Sequence, residues 1–348
     1  MPSKLKRPPT VVDCLPKAEL HLHLEGSIRP DTAAELAARH GVRVTAEEVA
    51  ARYRYANFAE FLETFKWVTS LLREPEDFAL VTRQLLEELS TQNVVYAEIT
   101  ISAGVMLLRQ QNVEANFQAI CEMAESAAGR RVRTAWIFDC VRQFGGDAAM
   151  RVAREAARLA RAGVVGFGLG GDELSLAASV FRPAFDLACD AGLHVVCHAG
   201  EMGGPEAVRE AVEVLGAERI GHGIALMHDE ALADSLAAQG VALENCPTSN
   251  LCTGSLARQT GRAEASLQDH PLARLFARGS LVTLSTDDPG MFHTDLLTEY
   301  SHAASLGLSD RQLVKLAEQS FRAAFLSPAE QQRYLEDFRA AARSSGLL

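Results

Sequence analysis

The chain has 348 residues, with 34 lysine and arginine residues against 45 aspartate and glutamate residues, which gives a formal net charge of −11. This length allows two average domains or one large α/β barrel. The excess of acidic side chains argues against nucleic acid or an anionic membrane as the main partner, because both bind basic surfaces.

Eight short β-like runs alternate with longer helical segments along the chain. This alternation, repeated over about 270 residues, predicts a TIM (β/α)8 barrel that forms one domain over residues 1–348. A doubly wound open sheet is the alternative, although no G-x-G-x-x-G follows the first strand. The predicted strands are Ala18–Gly26, Val94–Ser102, Arg131–Val141, Val164–Gly171, His194–Glu201, Arg219–Ile224, Ala242–Asn250 and Leu281–Pro289.

Residues 30–90 are too numerous for one connection between a strand and the next. Their composition is helical, with capping-box patterns at Thr32…Glu35 and Thr45…Glu48. We therefore predict inserted lid helices after strand 1, over the C-terminal mouth of the barrel.

Residues 309–348 carry two further capping-box patterns, Ser309…Gln312 and Ser327…Glu330. These patterns predict a helical C-terminal tail that packs on the barrel. The N-terminal 17 residues contain no apolar stretch of the kind that a signal peptide has, and no run of 18 apolar residues occurs. We therefore expect a cytoplasmic enzyme.

Two histidines alternate in the first predicted strand. Because residues i and i+2 of a strand point to the same side, His21 and His23 project together, and each can offer a neutral nitrogen to a metal. The pair lies near the C-terminal end of the strand, where barrel active sites are found. An isolated H-x-H is more often structural, so the pair does not define a site by itself.

Three other strand ends carry polar residues. The fifth strand ends with His198, a third candidate ligand, and with Glu201, whose carboxyl group can donate or accept a proton. The sixth contains His222 between two glycines, a place that suits a general base near neutral pH. The eighth leads into Asp287 and Asp288, two adjacent carboxylates that are costly to bury without a cation or donors nearby. Each of these residues also has a purely structural interpretation, as a core histidine or a turn residue.

The four signals together lie at the ends of strands one, five, six and eight. Three histidines and one aspartate are a donor set that suits Zn²⁺, with Fe²⁺ or another divalent ion as the alternative. A water on such a metal is a nucleophile at neutral pH. His222 could take its proton, and Glu201 could protonate the substrate. The residues therefore predict a hydrolytic metalloenzyme.

The shortage of lysine narrows this prediction. Only five lysines occur, and none lies between Lys66 and Lys315. Lys17 precedes the first predicted strand and Lys66 lies in the insertion, so strands two to eight contain none. A lysine-bridged metal pair and Schiff-base chemistry both need such a lysine. We therefore expect a mononuclear site.

Six motifs in one order resemble the adenosine deaminase family of metal-dependent amidohydrolases. They are LPKAELHLHLEGSIRP, GDE, CHAGE, RIGHGI, ENCPTSN and STDDPGMF, and they run from about Leu15 to Phe292. The resemblance implies a TIM barrel with one zinc ion per chain. It implies the ligands His21, His23, His198 and Asp287.

The resemblance also implies the roles of the remaining residues. Glu201 would protonate N1 of the purine ring, and His222 would deprotonate or orient the water that attacks C6 before ammonia leaves. Asp288 would contact the attacking group and N7, and the backbone N–H of Gly171 would meet N3. Stabilisation of the tetrahedral carbon is the catalytic principle that this arrangement implies.

An apolar helix face in the insertion matches the family's lid. Phe58, Phe61, Leu62 and Phe65 recur at i, i+3, i+4 and i+7. The family places a similar helix over the substrate, where it excludes water from the attacked carbon. Phe61 and Phe65 are therefore candidate substrate contacts, with ordinary packing against the barrel as the alternative.

One departure from the family concerns the substrate. Adenosine-specific members have HLDG, whose aspartate meets the ribose 5′-hydroxyl, whereas this chain has the longer Glu25 in HLEG. That form is similar to bacterial branches that include adenine deaminases and aminodeoxyfutalosine deaminases. EITISAGVM, FDCVRQFG and GFGLGGDE are similar to the second branch, which serves menaquinone biosynthesis.

We therefore predict a zinc-dependent deaminase of a 6-aminopurine nucleoside, adenosine or a relative such as 6-amino-6-deoxyfutalosine. Adenine is the alternative substrate. A carboxylated substrate would want an arginine near the mouth, and Arg52 and Arg54 are candidates by position. Two other classes stay open: a metal-dependent hydrolase of a non-purine ester or amide, and a non-catalytic binding protein. A non-catalytic binding protein would have lost some of the metal-ligand or proton-transfer residues, whereas all of them are present in this sequence.

Overall fold

The computed structural model describes residues 8–126 and 129–348. Eight parallel strands form one sheet in sequential order. They are β1 (Lys17–His23), β2 (Val94–Ile101), β3 (Arg133–Val141), β4 (Val164–Gly170), β5 (His194–Ala199), β6 (Arg219–His222), β7 (Ala242–Asn245) and β8 (Leu281–Leu284).

The sheet closes where the chain that follows β8 meets β1. Leu22 and Asp287 form a parallel bridge. The N–H of His23 donates to the carbonyl of Asp287 at 2.8 Å, and the N–H of Asp287 donates to the carbonyl of His21 at 3.0 Å. The barrel predicted from the alternating pattern is therefore confirmed.

Helices alternate with the strands and cover the barrel. Strand β1 is buried at every position, as expected for a parallel strand with covered faces. The α-helices are α1 (Pro30–Arg39), α2 (Ala46–Arg52), α3 (Phe58–Thr69), α4 (Pro75–Thr91), α5 (Ala103–Leu108), α6 (Val113–Glu125), α7 (Gly145–Leu159), α8 (Arg182–Asp190), α9 (Pro205–Glu213), α10 (Glu230–Gln239), α11 (Pro247–Cys252), α12 (Ser255–Thr260), α13 (Leu272–Ala277), α14 (Leu296–Ser305), α15 (Asp310–Ala323) and α16 (Pro328–Ser344).

The predicted insertion consists of helices. Helix α4 packs against β2 and α6, so it takes the ring position between the first two strands, and α1 to α3 precede it. At the other end of the chain, α15 packs against β8 and β1, and α16 packs on α15. The helical C-terminal tail is thus confirmed. That residues 1–348 form a single domain stays a prediction, and the described residues share one hydrophobic core.

Three of the four predicted capping boxes are present, at Thr45, Ser309 and Ser327. The prediction at Thr32 was wrong, because helix α1 already begins at Pro30 and Thr32 lies within its first turn. Proline suits the first helical position, since its missing N–H would have no partner there.

Every predicted strand extends past an end of the observed one, and the seventh and eighth do so the most. Strand β7 ends at Asn245, and Pro247 begins helix α11 inside the segment predicted as strand. Strand β8 ends at Leu284, and residues 285–289 form an irregular segment that carries both aspartates of the STDDP motif. Within residues 8–126 and 129–348, no helix is long and apolar enough to cross a membrane.

Candidate metal centre and active site

Four side chains converge at the C-terminal end of the barrel. His21 and His23 come from β1, His198 from β5, and Asp287 from the segment after β8. One potential ligand atom of each lies within 4.8 Å of the others. His23 Nε2 lies 3.2 Å from His198 Nε2, and Asp287 Oδ1 lies 3.4 Å from His21 Nε2. The structure therefore brings together all four predicted ligands.

Hydrogen bonds on the outer side of this cluster orient the ligands. His21 Nδ1 lies 2.8 Å from Glu244 Oε2, and His198 Nδ1 lies 3.2 Å from the carbonyl of Leu169. Both rings therefore turn Nε2 inwards, as is usual where histidine binds a metal. His21 Nε2 is buried and makes no hydrogen bond to any residue that the structure describes. This orphaned nitrogen, within a set of three imidazoles and one carboxylate, fits a zinc ion.

The charges in the cluster also favour a cation. Burial lowers the pKa of His23 to about 4 and that of His198 well below its usual range, so both offer neutral rings. Burial alone would lower the pKa of His21 too, but Asp287 and Glu244 raise it to about 10. The negative potential of two carboxylates thus falls where a metal would bind.

A buried ion-pair chain supports the ligand His21. Arg219 is 1% exposed, and its Nε lies 2.6 Å from Glu244 Oε1, while Nη2 lies 2.5 Å from Glu98 Oε2. Although burial alone would raise the pKa of Glu244, Arg219 and His21 hold it below its usual value. Glu244 therefore stays ionised and accepts from His21. Single motifs do not reveal this ion-pair chain; its signal in the sequence is the charged residues inside apolar strands.

The predicted proton-transfer residues lie beside the cluster. His222 Nε2 is 3.7 Å from Glu201 Oε2 and 3.8 Å from Asp287 Oδ2. His222 and Asp287 both have φ of +64°, an uncommon left-handed conformation that places these side chains at the strand ends. Burial, and then the charges of Asp287 and Glu173, raises the pKa of Glu201 well above its usual value.

Glu173, in the GDE motif, organises the turn that carries Glu201. Its carboxylate accepts the backbone N–H groups of residues 200–203 at distances of 2.6 to 3.1 Å. Gly203 lies so close that a Cβ there would be 2.7 Å from Glu173 Oε1. Only Gly171 of this motif had been singled out from the sequence, so the contribution of Glu173 was missed.

A chain of hydrogen bonds determines which nitrogen of His222 carries the proton. His270 Nδ1 accepts from the N–H of Leu272 at 3.2 Å, so His270 Nε2 donates to Asn250 Oδ1 at 3.1 Å. The amide nitrogen of Asn250 then donates to Ser255 Oγ and to His222 Nδ1, each at 3.1 Å. Burial lowers the pKa of His222 to about 3, so its ring is neutral. We infer from this network that the proton is on Nε2, the nitrogen facing the ligands.

Asp288 and Glu25 are buried acidic residues with unpaired oxygens. Asp288 Oδ1 and Glu25 Oε2 have no hydrogen-bond partner among the described residues. A Cβ at Gly26 would lie 1.6 Å from Asp288 Oδ1, so glycine is required there. Glu25 Oε1 accepts from the N–H of Ser102 at 3.0 Å, and burial raises the pKa of Glu25 to about 7.

A cavity of about 320 Å³ opens above the cluster. The predicted residues that line it are Phe61, Phe65, Gly171, Glu201, His222 and Asp288, together with the ligands His23, His198 and Asp287. Glu25 is not part of its wall. Neither are Arg52 and Arg54, and Arg52 instead stacks on Trp67 at 4.7 Å. Arg52 and Arg54, the two candidates by position in the sequence, therefore do not line the cavity.

The cavity is also lined by residues for which the sequence motifs had not predicted a role. Asp139 lies near the C-terminal end of β3, its Oδ1 has no partner among the described residues, and burial raises its pKa to about 8. Lys66 and Arg109 are the basic residues of the wall. Asp139 could have been found as the acidic residue of an apolar strand.

Lys17 lies within β1, away from the ligand cluster. Lys17 is the first residue of β1, where its Nζ donates to the carbonyls of Val12 and Leu15 at 2.8 and 2.7 Å. It had been expected just before the strand, and it lies at the opposite end of β1 from His23. The four candidate ligands are three histidines and an aspartate.

A closed parallel barrel with three histidines and an aspartate at its C-terminal end defines a metal-dependent hydrolase of the TIM-barrel class. A family model described as adenosine deaminase matches residues 16–341. The chain therefore belongs to the adenosine deaminase family, and it is a hydrolase that acts on the C–N bonds of cyclic amidines.

Individual relatives agree with this assignment. The chain is 41% identical to an aminodeoxyfutalosine deaminase of Streptomyces coelicolor, over 93% of this chain and 83% of the relative. It is 35% identical to an adenine deaminase of Rhizobium leguminosarum, over 90% of this chain and 95% of the relative. The crystal structure of an adenine deaminase from Arthrobacter aurescens superposes with a TM-score of 0.85 at 29% identity, covering 94% of this chain and 99% of the other.

Proposed function

We propose that this protein is a zinc-dependent deaminase of a 6-aminopurine nucleoside, adenosine or a relative such as 6-amino-6-deoxyfutalosine, acting in the cytoplasm. The reaction replaces the C6 amino group by oxygen and releases ammonia. One observation carries the proposal: a single cavity brings Glu201, His222, Asp288 and three of the four candidate ligands against the apolar face of α3.

Zinc would be held by His21, His23, His198 and Asp287, one ion per chain. When bound, it supplies a water with lowered pKa, a nucleophile at neutral pH. Each ligand needs its inner atom free of a proton, and the low pKa values of His23 and His198 meet this need.

The chain's own residues then direct the proton transfers. Glu201 has a raised pKa, so it holds a proton near neutral pH and can give it to N1 of the purine ring. Protonation of N1 withdraws electrons from C6 and favours attack there. His222, with its proton on Nε2, would orient the attacking water by donating to its oxygen, and Asp288 would contact the same oxygen and N7. The Glu201 carboxylate that remains after protonation of N1 would take one proton of the added water, and the other would go to the C6 amino group, which leaves as ammonia.

The cavity wall would hold the rest of the purine. Gly171 has φ of +89°, a backbone conformation that favours glycine, and its N–H would meet N3. Phe61 and Phe65 would cover the ring and exclude water. Glu25 lies behind the wall, where its unpaired oxygen could reach a ribose hydroxyl only after local adjustment.

Adenine is the second candidate substrate, because the similarity to adenine deaminases extends over almost as much of this chain as the similarity to aminodeoxyfutalosine deaminases. Ammonia release from adenosine, deoxyadenosine, adenine, methylthioadenosine and 6-amino-6-deoxyfutalosine distinguishes them. We expect a nucleoside to be preferred, with zinc near one per chain. A strong preference for adenine would contradict the nucleoside assignment, and two metals per chain would favour a dinuclear hydrolase.

A further inference from the structure

The two ends of the cavity differ in charge. At the metal end, the acidic wall residues Asp139, Glu201, Asp287 and Asp288 are all buried. The basic residues of the wall lie instead beside Leu108, which is 58% exposed and therefore marks the mouth. A ligand that spans the cavity thus meets the catalytic groups at one end and positive charge at the other.

Arg109, directly after α5, is held in place by hydrogen bonds and not by any carboxylate that the structure describes. Its Nη2 donates to the carbonyl of Lys66 at 2.9 Å and to Thr69 Oγ1 at 3.0 Å, which fixes the guanidinium against the last turn of α3. Its Nε and Nη1 have no hydrogen-bond partner within residues 8–126 and 129–348, and no described carboxylate forms a salt bridge with it. The negative charge that acts on it comes from Glu25.

Lys66 differs from Arg109 because its charge is already partnered. Its Nζ pairs with Glu63 on the same helix, and its side chain is 63% exposed. A charge so exposed is screened by water and salt, so it would add little to the binding of a ligand. Arg109, half-buried and with unused donors, is the residue of the mouth that is best placed to bind an anion.

The surface between the two ends is apolar. Leu62 and Phe65 of α3 face Val105 and Leu108 of α5 across the same cavity. Apolar and aromatic walls of this kind bind a flat, apolar part of a ligand, and a few polar groups then set its orientation.

We propose that Arg109 binds a carboxylate on the N9 substituent of the substrate, with an apolar spacer lying between this group and the purine. The proposal rests on the proposed function, because the purine must lie at the metal end for its substituent to reach Arg109. It makes the enzyme selective for acidic nucleosides over adenosine.

The test compares 6-amino-6-deoxyfutalosine as its free acid, the methyl ester of that acid, adenosine and AMP, with wild-type enzyme and Arg109→Gln. A charge-assisted hydrogen bond is lost in the ester and in the variant, so each should lower kcat/KM for the acid about 10- to 100-fold. Arg109→Gln should leave kcat/KM for the ester within about twofold. Arg109→Lys keeps the positive charge but loses the planar guanidinium that can make two parallel hydrogen bonds, so it should recover part of the loss.

Arg52→Gln is the matched control, because Arg52 stacks on Trp67 of the same lid outside the cavity wall. It should keep the preference for the acid. Zinc content and melting temperature of each variant report folding.

Three results would overturn the proposal. If the wild-type enzyme acts equally fast on the acid and the ester, it has no site for the carboxylate. If Arg109→Gln loses the same activity on every substrate, Arg109 only anchors the lid. A preference for AMP over the acid would mean that Arg109 binds a phosphate and not a carboxylate. Activity on adenine alone would overturn the proposed function as well, which separates that failure from the others.

Discussion

His222 shows how distant side chains can set the chemistry of one residue. The amide of Asn250 donates to its Nδ1, and His270 fixes the orientation of that amide. In a neutral imidazole, one nitrogen donates and the other accepts, so the proton is directed towards the metal ligands. In the proposed reaction, His222 would therefore donate to the attacking water and would not be the first acceptor of its proton.

Asn250→Leu should therefore lower kcat about 10- to 100-fold with unchanged zinc content, because His222 loses the partner that selects its tautomer. His270→Gln is the matched control, since a glutamine amide can still donate to Asn250, and it should stay near the wild-type rate. Steady-state kinetics and zinc analysis provide the measurements. A wild-type kcat in Asn250→Leu would show that the orientation of His222 does not depend on this chain.

Glu201→Gln tests the proposed role of Glu201 as the general acid that protonates N1. Glutamine has a similar shape but holds no transferable proton, so we expect kcat to fall about 10²- to 10⁴-fold while zinc stays bound. Ammonia release and metal analysis on the same sample check both parts. A variant with wild-type rate would remove Glu201 from protonation of N1.

The ion-pair chain makes Glu244 a positioning residue for a ligand. Glu244→Gln removes the charge that orients His21, so zinc affinity should fall about 10- to 100-fold. Competition with a chromogenic chelator measures this change, and His21→Ala should lower zinc content further. Unchanged affinity in Glu244→Gln would mean that the metal does not use the His21 side of the cluster.

Single elements were predictable where the signal is local. The capping boxes at Thr45, Ser309 and Ser327 involve residues three positions apart, and all three are present. Strand β7 was predicted too long because an apolar run can continue from a strand into a buried helix, and Pro247 was the only local sign of the change.

Asp77 stabilises the start of α4. It accepts the N–H groups of Arg73 and Glu74 at 3.0 and 3.1 Å, His40 Nε2 lies 2.7 Å from its Oδ2, and Arg39 Nη1 lies 3.0 Å from its Oδ1. Burial alone would raise the pKa of Asp77, but these partners lower it. Its contribution to stability is therefore full above its unfolded pKa of about 3.9 and is lost as the pH falls through the folded value.

Asp77→Asn should lower the free energy of unfolding at pH 7 by about 2 kcal/mol, because charged hydrogen bonds are lost. Urea unfolding measures the difference, which should shrink as the pH falls below 4. Asp186→Asn, at an exposed aspartate of α8, should change stability little. A difference that is independent of pH would assign the effect to packing instead of charge.

At the scale of the molecule, the alternation of strands and helices predicted the barrel, and that barrel brought together ligands that lie far apart in the chain. The remaining contacts could not be predicted in the same way. Glu173 meets a turn 27 to 30 residues away, and Arg109 meets the carbonyl of Lys66 because the last turn of α3 lies beside the end of α5. Such pairings depend on how helices and loops pack over the mouth, which one sequence does not reveal.

The closure of the barrel between β1 and the segment after β8, here called the seam, would connect metal binding with stability. Main-chain hydrogen bonds around Asp287 join the segment after β8 to β1, and His198 lies on β5 across the barrel. A metal held by these residues links the seam to the opposite wall. Because the four ligands come together only in the folded chain, binding stabilises it, by about 2.7 kcal/mol when free zinc is 100 times the dissociation constant.

Removal of zinc by a chelator should therefore lower the melting temperature by several degrees, and added zinc should restore it. Asp287→Ala should abolish this response, because it removes one ligand side chain, while Asp186→Asn should retain it. Differential scanning calorimetry of dialysed and zinc-loaded protein makes the comparison. Equal melting temperatures with and without zinc would show that the four residues do not form a metal site that links the seam to the barrel wall.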